Sequence, residues 1–279
     1  MINSRIGFSL RLLKPSKAVI VFSFLFLFFC VDAFAQKMLL SKKDIQRIAE
    51  KVFNNECSGK EEYLLVWNEG EEFLSLGIGH FIWYPKGKKG PFEEGFVKFL
   101  SYLRQKGEEI PEWLDENPFP SCPWESKEIF LRDINSQKAK SLRRFLVNSK
   151  SQQALFLVER LNEALPLILR NVKTVEKERV RNNFNQISKT PAGIYALVDY
   201  INFKGLGVYP SERYKGKGWG LLQVLSLTKD QCNDSEILAE FVRAAIKLLE
   251  DRVRNSPQER NEKKWLPGWK KRVRTYLYP

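Results

Sequence analysis

Histidine is almost missing from this chain: His80 is the single one in 279 residues. With one histidine and no paired-cysteine spacing, no metal site and no cofactor are expected. A cysteine nucleophile would have only His80 to activate it, and His80 reads as a core residue instead. Acid is scarce relative to base. Lys and Arg number 46 against 33 Asp and Glu, for a formal charge of +13. A basic surface suits an anionic partner. No nucleic-acid motif accompanies it, so nucleic acid is not the expected partner. Repeats and low-complexity runs are absent. Long apolar runs are limited to one, from Ala18 to Phe29, interrupted only by Ser23. It is too short for a spanning helix, which needs ~20 residues. Arg5, Arg11, Lys14 and Lys17 precede it, and Ala33-Phe34-Ala35 follows, before Gln36. This pattern predicts a signal peptide over 1–35, cleaved after Ala35, and a secreted or periplasmic product with no stable membrane span.

Cysteine is also sparse. Cys30 would leave with the signal, and Cys57, Cys122 and Cys232 would remain, an odd number that cannot all pair within one chain. An exported location permits a bridge. The expected pair is Cys57–Cys122, because the loop carrying Pro118, Pro120, Cys122 and Pro123 can be tied beside the helix read over Ser41 to Asn55. The mature chain would keep 42 bases and 32 acids, a charge of +10. Its length suits one large domain or two small ones.

The most informative stretch runs from Ser41 to Tyr84. Ile45, Ile48, Ala49, Val52 and Phe53 recur at helical spacing, and Ser41 can cap the start. Glu56 then falls at the last turn, near the edge of the apolar face, with Ser58-Gly59 ending the helix. A carboxyl placed so should be half shielded. Burial of that kind would raise its pKa and suit it to donate a proton. The run from Phe73 to Ile82 reads as one strand with two faces. One face carries Phe73, Ser75, Gly77, Gly79 and Phe81, and the other Leu74, Leu76, Ile78, His80 and Ile82. On this reading Gly77 and Gly79 leave an open floor that a ligand can approach.

A helix ending in Glu, followed by Ser75-Leu76-Gly77-Ile78-Gly79-His80, resembles the phage-type lysozymes, the endolysin muramidases. The resemblance implies that Glu56 is the catalytic acid and that Ser75 occupies the hydroxyl position lining the site. The family's catalytic Asp has no counterpart here. Asn68, Glu69, Glu71 and Glu72 stand in that segment, and Glu69 is the expected second carboxylate. Two further segments in the same chain order extend the resemblance: the helix Ala196–Phe203 closed by Gly205, with Asn202 near a family Asn or Gln, and the Leu266-Pro267-Gly268 terminus. Separately, Gly220-Leu221-Leu222-Gln223 is similar to a segment of lytic transglycosylases, which there follows the catalytic Glu closely and here lies far downstream.

The rest of the chain reads as mainly helical, over Phe92–Lys106, Ser126–Ile134, Ser136–Val147, Ser151–Asn171, Val175–Gln186, Ala192–Phe203 and Ser235–Arg254. Pro166 should break or kink the fourth of these, and Asp234 should cap the last. Gly216, Gly218 and Gly220 around Lys217 and Trp219 read as a mobile cleft-rim loop. Trp124 reads as a loop staple and Trp269 as structural. The implied fold is α+β, mainly α: a lysozyme-like domain over 36–279 with a helical insertion at about 92–190, and a helical lobe and small hairpin sheet flanking a cleft. The implied activity is hydrolysis of peptidoglycan glycan strands. Glu56, Glu69 and Ser75 are the expected catalytic residues. Trp67, Glu72, Gly77, Gly79, Asn202, Trp219 and Gln223 are expected to bind substrate. Two other readings remain: a lytic transglycosylase with a single Glu, and an inactive wall-binding protein.

Overall fold

The computed structural model describes residues 40–230 and 233–278, so the expected signal peptide and Cys232 lie outside the described residues. Helix α1 (Lys42–Cys57) starts at a reciprocal cap. Asp44 N donates to Ser41 Oγ at 3.2 Å, and Ser41 N donates to Asp44 Oδ2 at 3.1 Å. Its apolar stripe, Ile45, Ile48, Ala49, Val52, Phe53 and Cys57, is buried as the spacing predicts. The helix ends where Ser58 (φ 52°) and Gly59 (φ 69°) turn left-handed.

The strand expected over Phe73–Ile82 is a hairpin. Strands β1 (Leu65–Val66), β2 (Leu74–Leu76) and β3 (Phe81–Trp83) form an antiparallel sheet in that order, with Leu74 opposite Trp83 and Leu76 opposite Phe81. Gly77 to His80 is the turn. Gly77 at φ 69° and His80 at φ 47° are both left-handed, which reverses the chain and ends the two-residue alternation. Residues 74–78 are therefore all buried, rather than alternating between two faces. Helix α2 (Gly95–Lys106) covers the sheet. Phe96 packs on Trp83 with ring centroids 4.8 Å apart, and Phe99 stacks on Phe81 at 5.3 Å. Such aromatic pairs contribute ~0.5–1.5 kcal/mol each beyond area burial.

Helices α3 (Lys127–Asp133) and α4 (Gln137–Asn148) begin at Ser126 and Ser136, whose hydroxyls accept from Ile129 N and Ala139 N. Helix α5 (Lys150–Asn171) runs through Pro166 without ending there. Leu165, Ile168 and Leu169 stay buried on both sides of the proline, so packing holds the helix together. Helix α6 (Lys177–Ile187) follows, then α7 (Pro191–Lys204), capped by Thr190 and buried from Gly193 to Tyr200. A helix apolar around most of its circumference belongs at the centre of the molecule. The glycine-rich segment after it forms a hairpin. Strands β4 (Arg213–Tyr214) and β5 (Lys217–Gly218) pair around Lys215 (φ 49°) and Gly216 (φ 76°), the two positive-φ positions of a tight hairpin turn. Helix α8 (Leu221–Leu227) then packs on α9 (Ile237–Asn255). Asp234 does not cap α9: its carboxylate accepts from Gln186 and Lys189, and α9 starts without a side-chain cap, after a turn in which Asn233 Oδ1 accepts from Glu236 N at 2.9 Å. Helix α10 (Leu266–Arg274) closes the chain against α9.

The architecture is α+β and mainly α, and the segment 92–190 supplies α2 to α6. Among the described residues no helix is long and apolar enough to cross a membrane. The expected Cys57–Cys122 bridge is absent, and both are buried free thiols. The proline-rich loop is tied elsewhere: Cys122 N donates to Tyr84 O at 2.9 Å, which lays the loop beside the end of β3 rather than α1. Trp124 is the expected staple, buried and donating from Nε1 to Asp133 Oδ2 at 2.7 Å.

Candidate active site

Glu56 sits in the last turn of α1, where the stripe that buries Phe53 and Cys57 carries it inward, and its side chain is 9% exposed. Two donors share its Oε1: Asn202 Nδ2 from α7 at 2.7 Å, and Arg272 Nη2 from α10. Oε2 has no hydrogen bond among the described residues, and His80 Nδ1 lies 4.0 Å from it. Burial pushes the Glu56 carboxyl up, but Arg272, His80 and Asn202 outweigh burial and hold it below the usual carboxylate range. This reverses the raised pKa expected from burial alone.

Arg272 is itself held in place. Its Nε donates to Asp199 Oδ2 and its Nη2 to Asp199 Oδ1, both at 2.9 Å. Asp199 is fully buried in α7 and also accepts from Tyr276 Oη at 2.7 Å and Asn55 Nδ2 at 3.2 Å. Burial alone would lower the Arg272 guanidinium; Asp199 and Glu56 raise it well above the ordinary arginine value. The planar fork satisfies one carboxylate with two bonds and still reaches the other.

The turn that carries His80 is fixed from beneath by Gln153, a residue fully buried in α5. Ile78 N donates to Gln153 Oε1 at 2.8 Å, and Gln153 Nε2 donates to Leu146 O at 2.7 Å and Ser149 Oγ at 3.0 Å. The space beside Gly77 therefore belongs to Gln153: a Cβ there would stand 2.2 Å from its Oε1. The space beside Gly79 is filled by the Phe81 ring, 2.3 Å from where a Cβ would stand. The two glycines admit protein, not an open floor.

Lys204, at the end of α7 and within the electrostatic reach of Glu56, is 8% exposed. Its Nζ lies 3.5 Å from the Trp269 ring centroid and 3.9 Å from that of Phe203. Burial, with Arg252 and Arg272 adding to it, pushes the Lys204 amine down to about 6, against the pull of Glu262 and Glu56. Trp269 also contacts Trp265, whose ring centroid is 6.1 Å away and which is exposed.

Of the residues singled out from sequence, the structure brings Asn202 to Glu56. Glu69 is 93% exposed and pairs with Lys127, and Glu72 is 74% exposed and pairs with Lys88 at 2.7 Å. Glu71 accepts from Asn68 at 2.9 Å. Ser75 is buried in β2. Trp67 is buried and donates to Glu71 O at 2.7 Å, stapling its own loop. Trp219 is buried between Tyr214 and Arg252. Both ends of the Gln223 amide are used by backbone: Oε1 accepts from Gly220 N at 3.0 Å and Nε2 donates to Gly207 O at 2.9 Å. Sequence reasoning passed over Arg272, Asp199 and Gln153. Asp199 was the available signal, since a carboxylate inside an apolar helix demands a buried partner. Among the described residues no group of His, Cys, Asp and Glu is placed to hold a metal ion.

The chain matches no family model, no curated protein and no solved structure.

Proposed function

We propose that this protein is a lysozyme-like enzyme that cleaves the glycan strand of peptidoglycan, with Glu56 as its acid and base. The observation that carries the reading is the state of the Glu56 carboxyl. It is nearly buried, one oxygen is fixed by Asn202 and Arg272, and among the described residues Oε2 has no hydrogen bond. Oε2 is then the oxygen that carries the proton to the leaving glycosidic oxygen as the C1–O bond breaks. Because the resting carboxyl is ionised, it takes up that proton in acid or once a bound sugar displaces Arg272. The motif from Ser75 to His80 and the order of the similar segments support the same reading, as does the chain's net positive charge, which suits an anionic wall.

The fate of C1 has two versions, and a structural fact favours the second. In hydrolysis a further carboxylate handles water or the developing charge. Glu69 and Glu72 are exposed and paired with Lys127 and Lys88, and Asp199 is buried behind Arg272. A single-carboxylate transglycosylase needs none of them: the sugar's own 6-hydroxyl attacks C1 and passes its proton to Glu56. Product analysis on purified sacculi decides. Anhydro-muramyl ends identify the transglycosylase and reducing muramyl ends the hydrolase. Binding of sacculi with neither product leaves the wall-binding reading.

A further inference from the structure

Away from Glu56, a cavity of about 540 Å³ opens between the end of α5, the β4–β5 hairpin, α8 and α9. That volume lies in the range of small-molecule sites, ~300–1,000 Å³. Its charge is lopsided. Lys173, Arg213, Lys217 and Lys247 line it, and among the described residues none of the four has a carboxylate within ion-pair distance. Arg252, also in the wall, is spent on Glu262: its Nε and Nη2 each donate at 2.8 Å. Asp251 pairs with Arg254. Among the described residues, Glu176 is thus the one carboxylate in the wall without an ion pair, facing four cations without one, of which Arg213 also donates to Gly207 O at 3.5 Å.

Lysines on a convex helix face are solvated separately and mean little. Here four solvent-exposed cations from different elements stand around one concavity, and their like charges sum to a field that concentrates anions. The hairpin that carries two of them is held in place by Tyr214: its Oη donates to Glu262 Oε1 at 2.8 Å, and its ring lies 4.5 Å from that of Trp219. The cavity is far larger than an inorganic ion, and Leu222, Leu227 and Leu248 contribute apolar wall. The occupant therefore has carbon surface as well as charge.

We infer that this cavity binds an anionic glycan, a short run of sugar rings bearing negatively charged groups. The rings lie on the leucines, and the charges meet Lys173, Arg213, Lys217 and Lys247. The inference goes beyond glycan cleavage and does not require Glu56 to be active, so the two fail separately.

The test is calorimetric titration of the intact protein with trigalacturonate, with neutral chitotriose and with inorganic tripolyphosphate, each at low and moderate salt. The K173Q/K247Q variant is compared with K86Q/K89Q, which removes the same charge from the loop after β3. Trigalacturonate should bind and weaken with salt, and K173Q/K247Q should weaken it at least about ten-fold while the control pair stays close to wild type. Equal weakening by the two variants reduces the effect to net charge and overturns the site. Binding of chitotriose as tight as trigalacturonate overturns the anionic ligand. Binding of tripolyphosphate alone overturns the glycan.

Discussion

Arg272 and Glu56 stand 216 positions apart in the chain, yet one guanidinium nitrogen of Arg272 donates to both Glu56 and Asp199. The contact joins the first helix, the central helix and the last helix at one point. It also sets the charge state of the carboxyl on which the proposed chemistry depends. Removing the cation would strand two carboxylates. Truncating one partner of a buried ion pair typically costs ~3–5 kcal/mol. Arg272→Met should therefore destabilise the fold by that order in urea unfolding at neutral pH. Glu56 is held low in the folded state, so its contribution is present above the usual carboxylate value and is lost as pH falls through the folded one. The Arg272→Met deficit should accordingly shrink in acid. A loss below about 1 kcal/mol at neutral pH would mean that the contact does not hold the three helices together.

Lys204 gives the opposite sign. Its amine titrates at about 6 in the fold, well below an ordinary lysine. Such a group opposes folding wherever it would be protonated in the unfolded chain. The penalty is nil above the unfolded value, grows as pH falls, and levels off below about 6. Lys204→Met, of similar volume, should raise stability at pH 7 by at least about 1 kcal/mol, and the gain should fade towards pH 10. Denaturant midpoints across that range check it. A destabilised variant at pH 7 would show that the contacts with Trp269 and Phe203 outweigh burial.

Gln153 and Gly77 should behave as a coupled pair. Gln153→Ala leaves Ile78 N and Leu146 O buried without partners, at ~1–3 kcal/mol for each group. Gly77→Ala meets both a positive φ and the Gln153 oxygen. In the double variant the steric part of the Gly77→Ala cost disappears, so the two losses should sum to more than the double variant loses, by at least ~0.5 kcal/mol. Additive losses would mean that the turn does not rest on Gln153.

The two thiols are open to a direct chemical check. Burial raises Cys57 and Cys122 each to about 12, with Glu56 adding to the rise at Cys57 and Glu94 at Cys122. Both should resist alkylation in the native protein and react after unfolding without reductant. A Cys57–Cys122 linked peptide in a non-reducing digest would contradict the structure.

How much of this was legible in the sequence depended on distance along the chain. The α1 stripe and its cap are local, and they placed Glu56 correctly. Asn202 came from the resemblance of the α7 segment to a family helix, and the fold brings it to Glu56. The turn at 77–80 was misread as strand because alternating hydrophobicity carries no information about φ. Only Gly77 and the spacing of Gly79 hinted at a reversal. Glu69 and Glu72 were chosen for their chemical type, and chemical type does not say which side of a loop faces the site. Arg272 is one of several bases in α10. Nothing nearby marks it out; its partner Asp199, a lone acid among apolar residues, does.

The proposed chemistry stands or falls on Glu56 supplying the proton for glycan cleavage. The measurement closest to it is the rate at which wild type and Glu56→Gln release soluble fragments from purified sacculi, with circular dichroism confirming that both are folded. Glutamine keeps the bond to Arg272 or Asn202 in shape but cannot donate the proton. The expected result is active wild type and a variant slower by at least about 10²-fold. An active wild type matched by Glu56→Gln would place the catalytic group elsewhere and contradict the proposal.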